Sequence, residues 1–177
     1  MILGAKRIRN LINKAGDFNI VPFRKENLKG MSYDVTLGNE FAILQNDYID
    51  LELLEKKEIS LHYNWFVADK FNLPPNESVL AITDEYISLP EWMAAYLSGK
   101  SSLARIGLSV HTTAGWIHAG FRGKIVLEIT NVGNATIILS AGAKIAQLIF
   151  MPADGAYGYS GKWQDQQSLL QVVKPNG

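Results

Sequence analysis

The sequence predicts a mainly β domain whose strands would form a sandwich, jelly roll or barrel. Three observations carry this. In the second half of the chain, short apolar runs are broken by Gly- and Asn-rich turns about every ten residues, the spacing of antiparallel strands. The clearest runs alternate between apolar and polar side chains, as a strand with one buried face does. Finally, 177 residues, 47% hydrophobic and 19% charged, suffice for one core and are too apolar for a disordered chain.

Residues 5–14 read as a helix, because Ile8, Leu11 and Ile12 fall at i, i+3 and i+4 while Lys6, Arg7 and Arg9 lie elsewhere. Residues 33–37 alternate and end at Gly38, and 41–44 form a further short run. The stretch 50–75 mixes charges with Tyr63, Trp65, Phe66 and Pro74-Pro75 and stays ambiguous. Residues 79–83 read as a strand. Pro90 stands where a helix can open, which predicts a short helix over 91–97. Strands are then expected at 107–113, 124–132, 136–139 and 145–150, with turns at Gly133-Asn134 and Ser140-Ala141-Gly142. From Gly155 there are few aliphatics until Leu169, so 155–177 reads as a C-terminal lid or tail on a single domain, 1–177.

Composition removes several function classes. Seventeen basic and seventeen acidic side chains cancel, which argues against nucleic-acid binding but leaves room for a local anion pocket. Cysteine is absent, so disulfides, thiolate nucleophiles and cysteine-ligated metals are excluded. No apolar run reaches the roughly 18 residues of a membrane span, and the first residues lack the order of a signal peptide. A cytoplasmic protein with no membrane contact is expected. His62, His111 and His118 show no metal-ligand spacing, and there is no zinc-deaminase motif, Walker A or G-x-S-x-G.

Three features could carry chemistry. In Gly99-Lys100-Ser101-Ser102-Leu103-Ala104-Arg105, a turn opening on two hydroxyls leaves backbone N–H groups free for an anion. Ser101 and Arg105 would share a face of that turn. An ordinary Ser-capped turn fits the same residues. In residues 124–130, alternation puts Ile125, Leu127 and Ile129 on one face and Val126, Glu128 and Thr130 on the other. A Glu128 carboxyl among aliphatics is suited to proton transfer if partly desolvated, whereas an outward-facing Glu needs no function. Residues 115–123 (GWIHAGFRG) combine glycines, which let backbone approach a ligand, with Trp116 and Phe121, which can pack on a base or sugar. A hairpin loop with aromatic plugs is the plainer reading.

In this order the segments resemble the dCTP deaminase family of the dUTPase-like superfamily, over nearly the whole chain. The residues that carry the resemblance are SYDVTLGNEF at 32–41, GKSSLARIGL at 99–108, AGWIHAGFRG at 114–123, IVLEITN at 125–131, GAKIAQLIF at 142–150 and YSGKWQDQ at 159–166; the region 45–75 matches poorly. The resemblance implies a distorted β-barrel or jelly roll of the dUTPase-like type with a short N-terminal helix, assembled as a homotrimer with active sites between subunits. It implies deamination of dCTP to dUTP and ammonia without a protein-bound catalytic metal, Mg²⁺ being carried on the substrate triphosphate. Glu128 matches the catalytic glutamate, Ser101 the residue that positions water with carbonyls around Ala114, and Arg105 the essential arginine. Lys100, Ser102 and Lys162 match phosphate contacts, and Gln166 a lid contact to the triphosphate. Phe121 matches the ring that packs on deoxyribose, while Trp116, Gln147 and Tyr159 fall in substrate-binding motifs. Trp163 stands where the lid has tyrosine. His118 stands where the family loop has Asp, the residue that contacts the 3′-hydroxyl and, in triphosphatase members, helps activate water. The expectation is therefore a deaminase forming dUTP. The alternatives are a bifunctional enzyme giving dUMP and pyrophosphate, which the Gly-Trp and Ala-Gly-Phe of the loop favour, and a non-catalytic homologue binding dCTP, dTTP or dUTP.

Overall fold

The computed structural model describes residues 1–12, 14 and 16–174. The elements are α1 (Ala5–Ile12), β1 (Asn19–Val21), β2 (Tyr33–Leu44), α2 (Leu51–Glu55), β3 (Tyr63–Val67), β4 (Lys70–Leu73), β5 (Ser78–Ser88), β6 (Met93–Gly99), α3 (Ser101–Ala104), β7 (Leu108–Ser109), β8 (Trp116–Ile117), β9 (Arg122–Asn131), β10 (Ile137–Ser140), β11 (Lys144–Pro152) and α4 (Leu169–Val173). Nine strands form one sheet along the path β7-β9-β5-β2-β11-β6-β8, with β1 added to β5 and β3 to β2, and β10 pairs with β4. Leu108 and Ile117, from the strands at the two ends of that path, lie in the same core cluster as Tyr33, Phe41, Leu127 and Phe150. The sheet is therefore curled around one core, as a distorted barrel requires. No helix among the described residues is long and apolar enough to cross a membrane.

Several expectations change. Residues 33–37 and 41–44 are one strand, β2, which runs through Gly38. A Cβ there would stand 2.8 Å from the Ile82 carbonyl, and the pairing with β5 shifts register between Leu37 and Phe41. Glycine thus lets two strands touch where it was expected to end one. The helix expected over 91–97 is β6: Met93, Ala95 and Leu97 are buried in alternation, and the strand pairs with both β11 and β8. Pro90 only closes a turn, its carbonyl accepting from Met93 N at 3.0 Å. The strand expected at 107–113 shrinks to Leu108–Ser109. The N-terminal helix covers 5–12, and position 13 of the expected span lies outside the described residues. The ambiguous stretch resolves into α2, capped by the Asp50 carboxylate, followed by β3 and β4.

The segment read as a lid or tail is anchored. Its backbone runs beside the start of β9: Lys124 N donates to Gln166 O at 2.9 Å and Asp165 N to Arg122 O at 2.7 Å. Arg122 Nε and Nη2 clasp the Asp165 carboxylate at 3.0 and 3.1 Å, and Tyr86 OH donates to it at 2.6 Å. Those donors, the Arg122 guanidinium first, hold the Asp165 pKa down at about 2. The strap then ends in α4, whose Leu169 and Val173 are buried.

Candidate functional site

The outer face of β9 carries the central group. Ile125, Leu127 and Ile129 point into the core, while Val126, Glu128 and Thr130 are half-buried on the other side. Antiparallel pairing puts Leu80 opposite Glu128 and Ile82 opposite Val126. Glu128 lines a recess of about 160 Å³ with Ala42, Tyr63, Leu80 and Thr112. Burial pushes its carboxyl pKa up, while the Thr112 backbone amide and a charge on His111 favour the ionised form. The net effect of burial and these neighbours is a carboxyl that holds its proton more tightly than an ordinary glutamate.

A second pocket of about 190 Å³ is lined by Ile125 and Val126 of β9 and walled by Trp116, Phe121, Tyr159 and Trp163. Ala114, His118 and Gln166 also line it. The His118 and Tyr159 rings lie 6.0 Å apart at 14°, and Phe121 meets Tyr159 edge-on at 5.8 Å. The loop makes this possible at Gly120, whose φ of +77° and 2.8 Å approach to Gly158 leave no room for a Cβ. Tyr159 N donates to Ala119 O at 2.8 Å and Gln164 Nε2 to Gly120 O at 2.9 Å, so the strap is stitched to the loop. The shape and apolar walls suit a base and sugar. Gln166 is buried, with its Nε2 donating to the Lys124 carbonyl at 2.7 Å. Its amide thus closes the pocket and does not reach outward. Lys162 is exposed, its ammonium 4.2 Å from the centre of the Trp163 ring.

The third feature lies at the end of β6. Ser101 and Ser102 are exposed at the start of the single turn α3, and Arg105 N closes it on Ser101 O at 3.2 Å. Lys100 is committed to Asp34 at 2.7 Å, a carboxylate only 3% exposed. Gln147 Nε2 donates to the Gly99 carbonyl at 3.0 Å, so it fixes the entry to the turn. Arg105 is exposed, makes no ion pair among the described residues and is not among the groups that act on Glu128. Within one chain it is Val126, two residues before Glu128 on β9, that meets the loop and strap, and neither Ser101 nor Arg105 acts on Glu128.

Sequence reasoning missed Asp34, Thr112 and the anchoring of the strap. Asp34 had a visible signal, an acidic residue between Tyr33 and Val35 in an apolar strand. Among the described residues no group of three or more His, Asp or Glu could hold a metal ion. A wider cleft of about 980 Å³, lined in part by Asp17, Trp92, Gly120, Arg122 and Tyr159, touches the end of the glycine-rich loop and contains neither Glu128 nor the Ser101–Arg105 turn.

Residues 2–153 match the family model described as dCTP deaminase-like. The chain is 36% identical over 173 residues to "dCTP deaminase, dUMP-forming" of Aquifex aeolicus (strain VF5), covering 96% of this chain and 93% of the relative. It is 41% identical over 169 residues to the protein of the same name from Corynebacterium glutamicum (strain R), covering 92% and 88%. In fold it is similar to a 2′-deoxycytidine 5′-triphosphate deaminase from Agrobacterium tumefaciens, with a TM-score of 0.65 at 19% identity over 86% of this chain and about half (48%) of that one. It is also similar to a mutant dUTPase from phage phi11 of S. aureus, with a TM-score of 0.52 at 18% identity over 83% and 97% of the two chains. The curled sheet is thus of the dUTPase-like type, and by sequence along nearly its whole length the chain belongs to the dCTP deaminase-like family.

Proposed function

We propose that this enzyme deaminates dCTP and cleaves the nucleotide to dUMP and pyrophosphate. One observation carries the reading: β9 carries a half-buried carboxylate, Glu128, two residues from Val126, which lines an apolar pocket of nucleoside size. The relatives' name, dUMP-forming, favours this product over the dUTP expected from His118.

In the deamination step the oxygen of a water attacks C4 of the cytosine, and Glu128 takes the proton released. Glu128 delivers that proton to the ring nitrogen, where it stays; it then takes the proton of the new C4 hydroxyl and hands it to the amino group, which leaves as ammonia as the C4 carbonyl forms. Burial disfavours the ionised form of Glu128 that must start the cycle. The Thr112 amide and a cation offset this. Ser101 and Arg105 supply the water's second contact and that cation from a neighbouring copy in a homotrimer. Ile106, next to Arg105 in the chain, and Val132 are both more than half exposed, and Val132 N donates to the carbonyl of Gly107, the residue after Ile106, at 2.8 Å. They form an apolar patch where another copy would bring the guanidinium to Glu128. Ser102 and Lys162 contact the phosphates, while Lys100 shares its charge with Asp34. Mg²⁺ arrives with the triphosphate. In the second step a water adds to the α-phosphorus, and the bond to the bridging oxygen breaks to release pyrophosphate.

Deamination that stops at dUTP is the second reading, favoured by His118, since an imidazole replaces the carboxylate expected beside the sugar. Incubation with dCTP and Mg²⁺, with nucleotides separated by ion exchange and ammonia measured, decides between them. Equal yields of dUMP, pyrophosphate and ammonia are expected. Accumulated dUTP would transfer the conclusion to the second reading, and calorimetric binding without any product would reject both.

A further inference from the structure

The helix α4 packs on β2, β3 and β5, on the face from which Glu128 points. Ala42, Leu80 and Glu128 face one another across β2, β5 and β9, and Ile82 and Val126 form the next row. Leu169 and Val173 bury themselves in a cluster with Ala42 and Ile82, against which Trp65 and Val126 also pack. The start of this helix is held by one oxygen atom. Glu40 Oε2 accepts from the Ser168 hydroxyl at 2.6 Å, the Leu169 amide at 2.9 Å and the Trp65 indole at 3.1 Å. The Ser168 hydroxyl in turn accepts from Leu170 N at 3.1 Å, and Gln171 closes the capping box on the Ser168 amide at 3.0 Å. The carboxylate is therefore wired into the cap of α4, and Ser168 is two residues beyond Gln166, which lines the nucleoside pocket.

We propose that Glu40 is a positioning residue for the site: its carboxylate clasps the C-terminal strap so that Tyr159, Trp163 and Gln166 close over the bound nucleotide. Upstream the strap is tied by Asp165, an exposed clamp; downstream the clasp is Glu40. Two strands and the chain terminus meet at that one oxygen, and Trp65 comes from the stretch that matches the family poorly. Charge-assisted hydrogen bonds of this kind are stronger than neutral ones. A neutral amide at position 40 keeps the shape and loses that strength.

Glu40→Gln is the test, with Ser168→Ala as a second variant that leaves β2 unchanged. Trypsin cleavage of the exposed Lys162–Trp163 bond in the free protein should speed up about tenfold in Glu40→Gln, the size expected when a hydrogen bond to a charged group is lost. It should speed up less in Ser168→Ala. Excess dCTP should restore protection. The KM for dCTP should rise by a similar factor, about tenfold, with kcat nearly unchanged, because the clasp acts on closure over substrate and not on Glu128. An unchanged cleavage rate together with an unchanged KM would overturn the proposal, as would a loss of kcat at constant KM. Only the kinetic arm rests on the proposed activity. If the wild type leaves dCTP intact, that activity fails while the proteolysis of the free protein still decides the clasp.

Discussion

Two glutamates on neighbouring strands have pKa values raised by burial, and they are built for opposite purposes. Glu85, on β5, is fully buried and saturated. Thr36 N and Oγ1 donate to it at 2.8 and 2.9 Å, and Arg24 Nη1 at 2.7 Å while Nη2 holds Asp84. Glu128, on β9, is only half-buried and opens on a recess with the Thr112 amide and His111 nearby. A buried carboxylate that the fold supplies with three donors has little left to offer another group; its contribution is to stability. One that has lost water without gaining a full set of donors is left to find its partners in a substrate or another chain. Partner count, more than burial, separates the structural acid from the one to which the proposed reaction is assigned.

The largest effect should come from removing the reactive one. Glu128→Gln keeps the volume and abolishes proton transfer, so kcat for ammonia release should fall by about 10²–10⁴, with the thermal midpoint nearly unchanged. Arg105→Ala should be comparably inactive. If the two groups belong to different copies, mixing the two inactive variants under conditions that exchange subunits should restore activity, because some interfaces then receive both intact residues. Failure to complement would place Arg105 elsewhere and leave Glu128 without its cation.

Much of this was legible in the sequence where the signal is local. Strand alternation placed Glu128 beside Val126 and Thr130, and the glycine-rich stretch 115–123 does form the pocket wall. Local pattern failed at β6, because Met93, Ala94 and Leu97 suit a helical stripe as well as a strand does; pairing with β11 and β8 decided the matter. It failed also at Gly38, where the deciding contact comes from Ile82, far along the chain. The Glu85 cluster was invisible, since Arg24, Thr36 and Glu85 are brought together only by the pairing of distant segments. The lack of contact between Arg105 and Glu128 was out of reach for a related reason: residue order shows that both are present and says nothing of whether the fold of one chain brings them together.

The structural acid gives the next effect. Glu85→Ala strips the Thr36 amide of a buried acceptor and leaves Arg24 with Asp84 alone. The loss should be about 3 kcal/mol, read as a thermal midpoint roughly 10 °C lower. At a temperature where the variant is folded, its kcat for dCTP should stay close to wild type. A variant that is stable but inactive would erase the distinction between the two glutamates.

The smallest effect concerns pH, and it separates the two carboxyls by what each one controls. Both bind a proton more tightly in the folded chain than at the ordinary glutamate value of 4.5. A carboxyl raised in this way withdraws stability as pH climbs from that value through the folded pKa, because the folded state must give up a proton it holds well. Glu85→Gln should therefore flatten the decline of the thermal midpoint above pH 4.5. Activity obeys the other residue: Glu128 must be ionised to accept the water's proton, so kcat/KM should fall on the acid side at a pH above the usual carboxylate range. In Glu85→Gln that acid limb should stay where the wild type has it. An acid limb that moves with the residue at 85 would mean the two carboxyls titrate together, and that the reactive acid extends across both strands.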